Sequence, residues 1–194
     1  MNILLDVDDT LTDFLEVRNK LIEKYLKSKG LPFRVIDFNC TKSAKVADWP
    51  VEECVNFWRE VGTEAQLNCS PQKDCAKVVK KLREQGHKIF IVTARPDLYF
   101  EAFKYTKEWL DRNGIPYDCI ITGKLDKKQT MIDNEIDVVI DDSISTIKFA
   151  DELGLKSFLF STVENSDAEI PKNCKRVYSW SEIDKLFFEQ TATR

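Results

Sequence analysis

Four carboxylates, Asp6, Asp8, Asp9 and Asp13, fall within eight residues, directly after the apolar run Ile3-Leu4-Leu5. A short apolar run of this kind reads as a buried strand, and in a strand successive side chains point to opposite faces. Carboxylates crowded just past such a strand are not packing residues. They repel one another, and each resists ionisation unless a cation sits among them. Hard oxygen ligands suit Mg²⁺, which takes few protein carboxylates and keeps coordination sites for water and phosphate. The stretch therefore predicts a strand tip that holds Mg²⁺ beside a phosphate. The competing account is a solvated acidic turn, and the strand immediately before Asp6 argues against it.

A chain of 194 residues suits one domain, or one domain with an insertion, and 43% apolar residues supply a sizeable core. The formal net charge of −4 gives no basic field for a nucleic acid polymer, while a small nucleotide remains compatible if a metal supplies the positive charge. No charged-then-apolar leader and no membrane-length apolar run is present, so the expectation is a cytoplasmic protein with no membrane partner. The six cysteines (Cys40, Cys54, Cys69, Cys75, Cys119 and Cys174) show no C-x-x-C spacing and are expected to be reduced, several of them in the core. The single histidine, His87, reads as a turn residue, which leaves little support for histidine-based catalysis.

From Phe14 the pattern is helical, with Val17, Leu21, Ile22, Tyr25 and Leu26 on one face and Gly30 as its stop. Residues 31–49 lose periodicity and hold Phe33, Phe38, Cys40 and Trp49; a second helix follows Pro50, with Val51, Cys54, Val55, Trp58 and Val61 as its stripe. Residues 14–69 thus read as a small helical insertion whose aromatics mostly form its own core. From Ser70-Pro71, taken as a helix start, strands alternate with helices. The expected strands are 89–93, 119–122, 136–142, 157–160 and 176–178. The expected helices are one ending at Gly86, one over 97–113 with Tyr99, Ala102, Phe103, Thr106, Trp109 and Leu110 inward, two near 127–134 and 144–153, and a last one opened by the capping-box pair Ser179 and Glu182. Such alternation predicts a parallel sheet covered on both faces, with ligands beyond the C-terminal strand ends.

Every suspicious polar group lies at such an end: Asp6 and Asp8, then Thr93 and Arg95, then Lys124, Lys127 and Lys128, then Asp141 and Asp142. Together they make a phosphoryl-transfer set. One carboxylate can attack phosphorus, a second can protonate the leaving oxygen and then activate water, and cations and hydroxyls can stabilise the phosphoryl charge.

The run Asp6-Val7-Asp8-Asp9-Thr10-Leu11 resembles the D-x-D-x-T motif of the haloacid dehalogenase (HAD) superfamily of phosphatases. Ile91-Val92-Thr93, a lysine after the third strand, and Val139-Ile140-Asp141-Asp142 resemble its other three motifs, in order. The resemblance implies an α/β fold: a HAD-like, Rossmannoid, three-layer parallel sheet, with 1–13 and 70–194 as catalytic core and 14–69 as a small helical cap inserted after the first strand. It implies Asp6 as nucleophile and Mg²⁺ ligand, and Asp8 as general acid/base with its backbone carbonyl on the metal. Thr93 would hold a phosphoryl oxygen, and Asp142 would be the main remaining metal ligand, with Asp141 close by. Lys127, at the start of its helix, is chosen as the site lysine over Lys128 and Lys124. The opening Asp6 to Phe14 is similar to the 5′(3′)-deoxyribonucleotidase branch, which usually has glycine in place of Asp9 and serine in place of Ala94. In that branch cap aromatics stack on the base, which makes Phe14, Phe57 and Trp58, with Arg95, the candidate substrate contacts. Trp58 falls on the apolar stripe, so cap core is its first expectation; Phe57 lies one residue off it and is placed toward the cleft.

The expected reaction is hydrolysis of a small phosphomonoester, a nucleotide first and a sugar phosphate second. A homodimer stays open. A receiver domain has a different motif order, isoprenoid diphosphate sites lie on helices in all-α folds, and a catalytically silent binding module has no need of Asp8.

Overall fold

A computed structural model of the chain describes residues 1–31, 49–96 and 101–188. The expectations attached to Phe33, Phe38, Cys40 and Tyr99 lie outside the described residues. Six strands, β1 (Asn2–Leu5), β2 (Lys88–Val92), β3 (Cys119–Ile121), β4 (Val138–Asp141), β5 (Lys156–Phe160) and β6 (Cys174–Val177), form one sheet. Its order is β3-β2-β1-β4-β5-β6, and every pairing is parallel.

The alternation inside β1 sets the layers. Ile3 and Leu5 face one side, where α3 (Cys75–Glu84), α4 (Ala102–Arg112) and α7 (Trp180–Phe188) bring Val79, Leu82, Trp109 and Trp180. Leu4 faces the other side and meets Met131 and Ile147 from α5 (Lys128–Asp133) and α6 (Ile144–Glu152). With both faces covered, the inner strands carry apolar residues on both faces between their ends, as buried parallel strands do. Strand order reverses between β1 and β4, because the chain leaves β1 for β2 and β3 and then returns to β4. A crevice opens at such a reversal, beyond the C-terminal strand ends, and here those ends are the two carboxylate-bearing tips.

The segment between β1 and α3 contributes α1 (Phe14–Ser28) and α2 (Val51–Leu67). They bury a core of their own, in which Ile22, Tyr25 and Leu26 meet Phe57 and Ala65. Gly30, at φ +64°, ends α1 as expected, and the Leu31 N–H turns back to the Leu26 carbonyl. The two chain crossings at the base of the segment are tied together. Thr12 bridges Pro71, the Ser70 N–H donates to the Asp13 carboxylate at 2.6 Å, and the Asp13 N–H donates to the Ser70 carbonyl. This corrects the helix expected from Ser70-Pro71: the bridge to Thr12 holds those residues extended, so α3 begins only at Cys75. A second correction concerns α4, where Phe103 is 49% exposed. Ala102, Thr106, Trp109 and Leu110 form the buried stripe, and Phe103 lies about 100° round from Ala102 at its edge. The five described cysteines are free, with Cys69, Cys75 and Cys174 buried. No helix among the described residues is long and apolar enough to cross a membrane.

Candidate active site

Ile3-Leu4-Leu5 is locked between β2 and β4, and the Asp6 N–H extends that ladder to the Ile140 carbonyl. The chain then turns sharply. The Leu11 and Thr12 N–H groups both return to the Val7 carbonyl, and the Trp180 indole donates to the Thr10 carbonyl at 2.9 Å. Asp9 occupies this turn at φ 57°, in the left-handed region where glycine carries no steric cost. Its carboxylate accepts the Leu15 N–H at 2.7 Å and so caps the first turn of α1, a use glycine could not provide. Burial pushes the Asp9 carboxyl up to about 7, with the Leu15 N–H opposing.

The loop brings Asp6 and Asp8 over a cleft of about 360 Å³, whose other walls include Thr93, Lys127, Asp141 and Asp142. Lys127, almost fully buried just before α5, donates to the carboxylates of both Asp6 and Asp141, the latter at 2.7 Å. Burial opposes its charge, but the Asp141 and Asp6 carboxylates outweigh that and hold its pKa above the ordinary lysine range. Lys128 points outward to Glu152 at 2.6 Å. Burial, with Lys127 opposing and Asp141 and Asp8 adding repulsion, pushes Asp6 up to about 7. Burial and then the neighbouring Asp6 and Asp141 charges raise Asp142 well above the usual carboxylate range.

Carboxylate oxygens of Asp6, Asp141 and Asp142 all lie within 4.8 Å of one another. Among the described residues, Lys127 neutralises Asp6 and Asp141, Arg95 neutralises Asp8, and no ion pair reaches Asp142. The set is acid-rich, all oxygen and short of cations, which fits a hard divalent ion. Behind it, the Asn165 side chain donates to the backbone carbonyls of Asp142 and Phe160, both at 2.8 Å, and Arg176 braces Asn165 at 2.9 Å. The Ser143 N–H donates to Asp141 at 2.8 Å as α6 begins.

Thr93 directly follows β2, with its N–H on the Ile121 carbonyl and its side chain buried at the cleft. Arg95 makes a two-pronged pair with Asp8, through Nε at 3.0 Å and Nη2 at 2.5 Å, and lies 5.7 Å from the Phe14 ring centre. A second pocket of about 200 Å³ shares Asp8 and Phe14 with the first and is walled mostly by apolar groups, Trp58, Ala94 and Pro96 among them. Phe14 and Trp58 stack with ring centres 6.0 Å apart and planes within 13°.

The aromatic expectation on α2 is reversed. Phe57 is fully buried and packs against Trp49 at 5.4 Å and Tyr25 at 5.5 Å, so it has no surface to offer a substrate. Trp58 walls the pocket instead. The helix faces inward toward α1 and Trp49, a non-local contact that rotates the stripe by one residue.

A family model described as "5' nucleotidase, deoxy (Pyrimidine), cytosolic type C protein" matches residues 1–192. The chain belongs to this family. A Bacillus cereus protein named "Putative nucleotidase" is 28% identical over 190 residues, covering 93% of this chain and 95% of its own. A haloacid dehalogenase-like hydrolase from Streptococcus pneumoniae superposes with a TM-score of 0.71 at 14% identity, over 96% of this chain and 97% of that one. CbbY from Rhodobacter sphaeroides, solved with phosphate, gives 0.67 at 14% identity, over 94% and 95%. At such identities the solved structures speak for the fold alone. This member of the 5′ nucleotidase family, a family of phosphatases, thus has a haloacid dehalogenase-like fold.

Three residues that the sequence reading passed over belong to this setting. Arg18 lines the cleft from α1, Gln66 lines the apolar pocket from α2, and Asn165 braces the Asp142 loop. Arg18 and Gln66 sit on otherwise apolar helical stripes, a readable signal, whereas the partners of Asn165 are scattered along the chain.

Proposed function

We propose that the chain is a Mg²⁺-dependent nucleotidase that cleaves nucleoside monophosphates through an aspartyl-phosphate intermediate. The observation that carries this reading is the junction of the two pockets at Asp8. One side holds carboxylates, Lys127 and Thr93 suited to a phosphoryl group; the other is an apolar, aromatic-walled space suited to a flat leaving group. Asp6 attacks phosphorus, the phosphorus–ester oxygen bond breaks, and Asp8 gives its proton to the departing oxygen. Asp8 then takes a proton from water as that water attacks the aspartyl phosphate, which frees inorganic phosphate and regenerates Asp6. Arg95 holds the Asp8 carboxyl group in one orientation as it gives and takes this proton. Thr93 and Lys127 supply donors to the phosphoryl oxygens. Asp6, Asp141 and Asp142 would hold Mg²⁺, together with the Asp8 backbone carbonyl that the family resemblance adds; the ion supplies positive charge to the phosphoryl oxygens. Residues 14–69 act as the cap that covers the leaving group, and Phe14 and Trp58 supply its aromatic wall. The free cysteines suit the cytoplasmic location that this reading carries.

A substrate screen with Mg²⁺ tests the reading. Nucleoside monophosphates should outrank sugar phosphates in kcat/KM, and Asp6→Asn should abolish turnover while the protein still melts cooperatively. Higher activity on sugar phosphates would leave a phosphatase but remove the nucleotide reading; a fully active Asp6→Asn enzyme would remove the aspartyl-phosphate mechanism.

A further inference from the structure

Gln66, one residue before the end of α2, is 1% exposed and lines the apolar pocket. Its Oε1 accepts from Arg95 Nη1 at 3.4 Å. A guanidinium only donates, so the amide oxygen must be the atom that faces Arg95, and the NH₂ group is directed elsewhere. That nitrogen, Nε2, finds no acceptor among the described residues. A buried donor without an acceptor is disfavoured, and a ligand that brings one relieves the penalty. We infer that Gln66 is a specificity-determining residue, whose Nε2 donates to a carbonyl oxygen on the nucleobase of the substrate.

The placement follows from Asp8. If the phosphoryl group sits at Asp6, the ester oxygen meets Asp8 and the leaving group continues into the pocket that Asp8 shares with Phe14, Trp58 and Gln66. The stacked rings of Phe14 and Trp58 select flatness but do not distinguish one base from another, since every base has a π-face. A fixed donor at the wall does distinguish them. Uracil and guanine carry ring carbonyls, whereas adenine carries none. Arg95 Nη1 also donates to Thr106 at 3.3 Å, and Nε and Nη2 are paired with Asp8, so the guanidinium cannot swing away and let the Gln66 amide invert.

The inference rests on the nucleotidase reading, and the experiment separates the two. Uridine, guanosine and adenosine monophosphates, in ribo and 2′-deoxyribo forms, are assayed with the full chain and with two variants, each checked for a cooperative melt. Gln66→Met keeps the length and removes both hydrogen bonds; Gln66→Glu keeps an acceptor for Arg95 but removes the donor. Both variants should raise KM for the uridine and guanosine nucleotides by about three- to tenfold relative to the adenosine nucleotide, the worth of one net hydrogen bond. An equal loss on all three nucleotides in Gln66→Met that Gln66→Glu restores would overturn the inference, because Gln66 would then serve only to hold Arg95. Unchanged base preference in both variants would overturn it too. A wild-type enzyme that ignores all nucleotides yet hydrolyses other phosphomonoesters would instead remove the nucleotidase reading itself.

Discussion

Replacing Lys127 by Met tests whether the strand-tip carboxylates are held together by this one cation until a metal arrives. Lys127 is buried, with Asp6 and Asp141 both on its ammonium group. Removing one partner from such a cluster leaves buried charge uncompensated and costs on the order of 3–5 kcal/mol. For a chain of this size each kcal/mol moves the melting temperature by about 2–4 °C. The metal-free variant should therefore melt about 6–20 °C below wild type. Lys128→Met, which removes an exposed pair with Glu152, is the control and should change little. The loss should also depend on pH. Burial already pushes Asp6 up to about 7, so the folded protein holds that proton more tightly than the unfolded chain does. The metal-free wild type thus loses stability as pH rises from the ordinary carboxylate range toward 7. Without Lys127 the Asp6 carboxyl shifts further up and the window extends to higher pH. The gap between variant and wild type should consequently widen above pH 7 and narrow below pH 6. Mg²⁺ at a hundred times its Kd should stabilise wild type by about 2.7 kcal/mol. Its effect on Lys127→Met should be larger by at least about 2 °C, since the ion then supplies the missing charge. Thermal melts in chelator and in Mg²⁺, between pH 5.5 and 8.5, give all these numbers. A variant that melts with wild type in chelator, or that gains no more from Mg²⁺ than wild type does, would refute the reasoning.

Asn165→Ala removes both amide donors from the carbonyls of Asp142 and Phe160, so the Mg²⁺-induced rise in melting temperature should shrink, and activity should return at higher Mg²⁺. An unaltered Mg²⁺ titration would mean that the bracing has no bearing on the metal. Asp9→Ala should cost about 1–2 kcal/mol in urea melts, because it loses the Leu15 cap and leaves in left-handed backbone a residue that tolerates it less well than Asp, while Asp9→Gly, which loses the cap but sheds the β-carbon, should cost less. Phe14→Ala should lower kcat/KM for nucleotides about tenfold more than for a small generic phosphate ester, the scale of one stacking contact; equal losses would make Phe14 a support of the fold.

The parts of the site that were legible in the sequence are those fixed by strand position. Asp6, Thr93 and Asp141 each follow an apolar run closely enough that the parallel-sheet rule alone sends them to one edge, and β1 and β4 proved to be neighbours. The choice among Lys124, Lys127 and Lys128 was less determined, because consecutive residues around a helix start point in different directions. The structure puts Lys127 inward since α5 begins one residue later, which leaves Lys128 on the outer side beside Glu152. Where position depends on a distant partner, the local pattern misleads. In the sequence Phe57 lies one residue off the stripe of Val51, Val55 and Trp58; packing against Tyr25 and Trp49 buries it nonetheless.

Asp9 shows the same division within a single residue. In the sequence it is one more carboxylate in an acidic turn, at a place where the related branch usually has glycine. The backbone there is left-handed, which accounts for glycine without reference to chemistry. Asp accepts the same backbone at modest cost and uses its carboxylate to tie the strand-tip turn to the Leu15 N–H at the start of α1. Its role is therefore to join the strand tip to the helix that carries Phe14 and Arg18 into the cleft. The two walls on which the proposed reaction depends, one for phosphate and one for the leaving group, meet through this turn. A loss at Asp9 should accordingly appear first in stability and in KM, while the chemistry of Asp6 and Asp8 is spared.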